Sequence, residues 1–143
     1  MPSDIPEHLR IWHSDASDQP DLYITYRLIC TRRDACLHRA KKIISEVSLF
    51  SAEEWPDHPA YWLTIFPGWF TDYFTSQQTD WDFDSWLAQV SQRSWTWWSS
   101  HEDSGFSFVT LALTEWPNNA SAIEVVFEAS GFEIVDRMTN LPS

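Results

Sequence analysis

Leu22-Tyr-Ile-Thr-Tyr-Arg-Leu-Ile-Cys30 alternates along the chain, with Leu22, Ile24, Tyr26, Leu28 and Cys30 on one face. Strand side chains point to opposite faces with a period of two, so this stretch predicts a half-buried strand. The period then changes. Cys36, Ala40, Ile43, Ile44 and Val47 recur at helical spacing, with Arg39, Lys41, Lys42 and Glu46 between them. That pattern predicts an amphipathic helix over roughly 33–48, and Thr31 with Asp34 supplies a capping-box signal ahead of it. A strand that runs into a one-sided helix has to bury both apolar faces in a layered domain.

The remaining segments extend the layers. Ser51-x-x-Glu54 predicts a short helical turn, confined by Pro56 and Pro59. Residues 60–66, Ala-Tyr-Trp-Leu-Thr-Ile-Phe, suit a strand that Pro67-Gly68 breaks, and a helix beginning at Pro59 is the competing reading. Trp69, Phe70, Tyr73 and Phe74 fit a short helical stripe. Phe83, Trp86, Leu87, Val90, Trp97 and Trp98 fit a longer one, capped by Asp82 or Asp84, which leaves Trp95 off the stripe and exposed. His101-Glu102-Asp103 reads as a solvated turn before Ser104-Gly105. Phe106–Leu113 is rich in β-formers and predicts a central strand. Asn118 or Asn119 then caps a helix that buries Ala122, Ile123, Val126 and Phe127, Gly131 supplies the left-handed stop, and Phe132–Val135 forms a closing strand. The expected fold is a single layered α+β domain with a mixed or antiparallel sheet of about four strands and three or more helices. A ferredoxin-like βαββαβ core with a helical insertion near 69–99 accounts for the order. Residues 1–20, with three prolines and four acids, read as an irregular lead-in that pins Ile11 and Trp12 to the body; the domain spans 21–137 and a tail 138–143.

Charge narrows the function. The 143 residues carry 21 acids against nine Lys and Arg, a net charge of −12. Six of those nine cations lie in 27–42, and from residue 50 onward 14 acids face only Arg93 and Arg137. Such a field repels nucleic acid and anionic membranes and attracts basic proteins. No apolar run approaches the ~20 residues of a membrane helix, and the amino-terminus lacks a secretory pattern. Cys30 and Cys36 lie six residues apart without a C-x-x-C pair, so they read as free thiols in a reducing cytoplasm, with a disulfide as the alternative.

No constellation names a reaction. The five histidines are scattered, and neither zinc spacing, a phosphate-binding glycine loop nor a nucleophile elbow occurs, so no catalytic residue, metal ligand or cofactor is assigned. Asp80-Trp-Asp-Phe-Asp84 begins like a calcium loop, but Ser85 occupies the glycine position and Ser91 the place of the bidentate Glu. The run reads instead as a helix cap or as an acidic, aromatic loop. Eight of ten tryptophans fall within 55–98, where most pack a core, and tryptophan is enriched at binding hot spots. Glu53, Glu54 and Trp55 with Asp80, Trp81, Asp82 and Asp84 are the candidate partner-binding residues.

Trp97-Trp98, Gly105–Leu113, Trp116-Pro117 and the segment from Ala122-Ile123 to Gly131-Phe-Glu-Ile-Val135 resemble small bacterial immunity proteins of polymorphic toxin systems. The resemblance is one of general pattern over 97–135 and transfers no functional residue. It implies a cytoplasmic protein that neutralises a toxin by tight binding. The charge points independently to a non-enzymatic binding module for a basic partner such as a toxin or nuclease. A small enzyme or ligand-binding domain with a tryptophan-lined pocket, and an oligomeric structural subunit, are the alternatives.

Overall fold

The computed structural model describes residues 6–13, 20–31, 35–50, 52–76, 79–115 and 120–140. Four strands, β1 (Tyr23–Cys30), β2 (Trp95–Asp103), β3 (Phe106–Leu113) and β4 (Phe132–Thr139), form one sheet in the order β2-β3-β1-β4. Every neighbouring pair is antiparallel: Tyr26 stands opposite Val109 on β3 and Arg137 on β4, and Trp97 stands opposite Leu111. Helix α2 (Cys36–Val47) follows β1, and α6 (Ser121–Ala129) joins β3 to β4. Strand, helix, strand, strand, helix, strand in that spatial order is the ferredoxin-like arrangement. Between α2 and β2 the chain inserts a 3-10 turn (Ala52–Glu54), α3 (Pro59–Ile65), α4 (Gly68–Thr71), a second 3-10 turn (Asp72–Thr75) and α5 (Phe83–Ser91).

The sheet buries one face through β1 and β3. Tyr26, Leu28, Val109 and Leu111 are fully covered, and so are Ala40, Ile43, Ile44 and Val47 of α2 and Ile123, Val126 and Phe127 of α6. On β1, α2 and α6 these are positions that the two periodicities select. One polar link ties three elements together: Tyr26 Oη donates to Glu124 at 2.9 Å, and Arg137 of β4 donates to the same carboxylate at 2.6 and 2.8 Å. Gly131 takes φ +104° at the end of α6, where a side chain would be strained.

Several expectations need correction. Residues 60–66 are not a strand. Pro59 occupies the first helical turn, where its missing N–H costs nothing, and the competing helix forms. The helix at 83 stops at Ser91, and Trp95, Trp97 and Trp98 belong to β2. Trp95 is therefore core, 1% exposed, rather than a surface residue. Trp86, Val90 and Trp97 mimic a helical stripe, but Trp95 and Trp97 alternate, as strand residues do. Ser104 and Gly105, at φ 54° and 86°, make a two-residue hairpin turn that joins β2 to β3. With β2 read at 95–103, the insertion runs from 52 to 91 instead of 69–99, and His101-Glu102-Asp103 ends a strand.

Cys30 and Cys36 form a disulfide, with Cα atoms 5.8 Å apart. The last residue of β1 meets the first of α2, a proximity that sequence spacing does not reveal. The argument for a reducing compartment from free thiols therefore falls. The amino-terminal stretch is not wholly irregular either: α1 (Glu7–His13) buries Ile11 completely. Trp12 stays partly exposed beside His38, ring centroids 5.4 Å apart. At the other end, β4 extends to Thr139, past the expected domain limit. The expected caps Asp34, Asn118 and Asn119 lie outside the described residues. No helix among the described residues is long and apolar enough to cross a membrane.

The insertion converges on Trp86. Its ring lies 5.0 Å from Phe70, 5.8 Å from Phe66 and Phe74, and 6.2 Å from Phe83, while its Nε1–H donates to the Ala122 carbonyl at 2.9 Å. We expect Trp86→Phe to cost about 2 kcal/mol, from lost volume and an unsatisfied buried carbonyl. Urea denaturation checks this, and an unchanged midpoint would contradict the assignment.

Beside β2, Glu7 accepts from Arg93 at 2.6 Å and from the Trp97 backbone N–H at 2.7 Å. Burial raises the Glu7 carboxyl above its ordinary value of 4.5, against the lowering effects of Arg93, the Trp97 N–H and His8. A group whose pKa rises on folding contributes stability that is complete below the unfolded value and lost as pH climbs through the folded one. Comparing unfolding of the wild type and Glu7→Gln across this window should show the wild type losing stability more steeply as pH rises.

Candidate functional site

The insertion gathers the negative charge. Between residues 53 and 92 the chain has seven acids, Glu53, Glu54, Asp57, Asp72, Asp80, Asp82 and Asp84, and neither Lys nor Arg. All seven side chains are exposed. Glu53 and Glu54 sit on the first 3-10 turn. Trp55, next to them, is half-buried and stacks on Trp62, with centroids 4.5 Å apart at 28°. Asp80 lies in the bend before α5. Trp81 is half-buried, packs against the core and donates its backbone N–H to Thr79 Oγ1 at 3.2 Å.

Asp82 is the N-cap of α5 and accepts from the Ser85 backbone N–H at 2.7 Å, and Asp84 occupies the first turn. Both carboxylates therefore oppose the positive end of the helix dipole. The Ser85 backbone N–H, chiefly, holds the Asp82 carboxyl below its ordinary value.

Two of the expected residues meet. Trp55 and Asp84 line one groove of about 440 Å³ whose walls are the segment Trp55–Pro59 and helix α5. Asp57 lines it too. Pro59, Leu87 and Ala88 give the groove an apolar lining, so it pairs carboxylates on both walls with hydrophobic surface. Glu53 and Glu54 flank it through the chain, and Asp80, Trp81 and Asp82 precede Asp84 without lining it. Asp57 was missed although it continues the acidic run at 53–54.

Three exposed apolar residues of α3 escape a strand reading of 60–66. Leu63 is 53% exposed, and Tyr61 and Ile65, one helical turn apart, are exposed as well. The Tyr61 and Phe50 ring centroids are 5.9 Å apart, and Leu49, the residue before Phe50, is exposed.

A larger cavity, about 530 Å³, lies beside the disulfide and is lined by Trp12, His38, Lys41 and Glu102. Burial lowers the Lys41 pKa there, and Glu102 partly restores it. Among the described residues no group of three or more His, Cys, Asp or Glu is placed to hold a metal ion.

No protein-family model matches the sequence, and neither a curated protein nor a solved structure matches the chain.

Asp82 carries a structural duty that can be separated from its charge. Asp82→Ala should lower helicity and thermal stability, whereas Asp82→Asn, an equally good cap, should preserve them near neutral pH. The sign with pH follows from the lowered pKa: the contribution is present above 3.8 and is lost as pH falls through the folded value. Circular dichroism melts of both variants read this directly.

Proposed function

We propose that this chain is a non-enzymatic protein-binding module, an acidic immunity or inhibitor protein that neutralises a basic partner such as a toxin or nuclease. One observation carries the reading: seven exposed carboxylates share a forty-residue insertion that has no lysine or arginine. A surface of one sign speeds encounter with a partner of the other sign, and desolvated aromatic and aliphatic anchors slow dissociation. Trp55 and the exposed side chains Tyr61, Leu63 and Ile65 of α3 supply such anchors within the same insertion. The sequence likeness to toxin-immunity proteins supports the reading from a separate direction. The cytoplasm is the proposed compartment on the partner's account, because a nuclease acts there; reduced thiols no longer argue for it.

Expression of the neighbouring gene alone, then with this chain, tests the proposal by colony survival. Toxicity relieved by co-expression is the expected result. Toxicity without rescue would turn attention to a small ligand in the cavity beside the disulfide. With the partner in hand, replacing Asp80, Trp81, Asp82 and Asp84 by Ala together should weaken binding at least about tenfold, with much of the loss in the association rate at low salt. Unchanged affinity in a folded variant would remove this loop from the interface.

A further inference from the structure

Cations of the chain already cover several of its tryptophans. The Arg10 guanidinium lies 3.7 Å from the Trp98 ring centroid, Arg39 is 5.1 Å from Trp69, Lys41 is 5.8 Å from Trp12 and Arg93 is 5.1 Å from Trp95. Arg93 is further engaged by Glu7. Trp55 differs. It stacks on Trp62, remains half-exposed, lines the groove with Asp57 and Asp84, and has no cation over it among the described residues. Arg93 lines a neighbouring cavity of about 200 Å³ with Trp55, but its guanidinium is taken by the Trp95 ring and Glu7, and 53–92 contains neither Lys nor Arg.

We propose that this groove is a guanidinium subsite, which seats one arginine side chain of the basic partner on the Trp55 indole with its head group between Asp57 and Asp84. The inference rests on the protein-binding reading above and gives it a point of recognition. A volume of about 440 Å³ suits one long side chain with its water rather than a whole helix. The aliphatic stem of arginine covers apolar surface while its head stays polar, which matches the Pro59, Leu87 and Ala88 lining. A planar guanidinium stacks on an indole and offers several in-plane donors, so one group satisfies the ring and two carboxylates together. Lysine is a compact, strongly hydrated point charge and satisfies fewer of these demands. The site therefore selects arginine over lysine, and both over a neutral isostere.

The test needs no partner. Full-length protein is titrated with N-acetyl-arginine amide, N-acetyl-lysine amide and N-acetyl-citrulline amide, following the indole N–H resonance of Trp55, which is identified by its loss in Trp55→Phe. Arginine should shift it saturably, lysine should bind at least about threefold more weakly, and citrulline should leave it in place. Asp57→Asn combined with Asp84→Asn should weaken arginine binding at least about fivefold. The unshifted Trp86 resonance reports that the fold persists in that variant. Citrulline acting as well as arginine, an arginine shift indifferent to the double substitution, or no saturable shift at Trp55 would each overturn the subsite. Rescue from toxicity without arginine binding would sink the subsite and leave the partner reading standing. Arginine binding without rescue would do the reverse.

Discussion

Burial of Trp86 is the constraint on which the acidic insertion depends. Helices α3, α4 and α5 are seven, four and nine residues long. Segments of that length do not hold helical structure alone in water, because nucleation is unfavourable and few bonds follow it. They persist here because four phenylalanine rings pack around one indole that is hydrogen-bonded to the start of α6. The sheet core supplies the platform, while the aromatic cluster decides whether the acidic surface has a shape at all. Most of the tryptophan that suggests a binding face is therefore spent beneath it. Trp62 and Trp86 are fully covered, and Trp55 is the stacked edge that reaches the groove.

Local periodicity made the core legible. The helical spacing picks out buried residues of α2 and α6, the alternation of 22–30 marks one strand, and the β-formers of 106–113 mark a central one. It failed where two periods fit the same letters. Trp86, Val90 and Trp97 satisfy a helix, while Trp95 and Trp97 satisfy a strand, and only the Ser104-Gly105 hairpin turn breaks the tie. In 59–65 a proline that starts a helix looks like one that bounds a strand. The disulfide was hidden because it depends on how β1 meets α2, a tertiary fact. In the candidate site, Trp55 and Asp84 stood out by composition, yet their meeting across a groove, with Asp57, is set by the packing of α5 against the segment before α3.

The negative charge is placed where folding tolerates it. Seven exposed carboxylates on one insertion repel one another, which destabilises a compact state. Asp82 and Asp84 recover part of that at the start of α5, one as a cap and both against the helix dipole. Glu53, Glu54 and Asp57 lie on a short turn and an extended segment, where little helix is put at risk. Under the proposed binding role, a surface arranged this way trades stability for recognition.

Glu7 has a consequence beyond its ion pair. β2 is an outer strand, and an outer strand offers unpaired backbone groups to which another chain can add. The Glu7 carboxylate occupies the Trp97 N–H on that rim, and β4 on the other rim carries the charged side chains Glu133, Asp136 and Arg137. Both margins of the sheet thus carry features that disfavour β-augmentation. Under the binding role proposed above, a short amino-terminal helix whose carboxylate occupies one rim would help to keep copies of the chain apart until a target arrives.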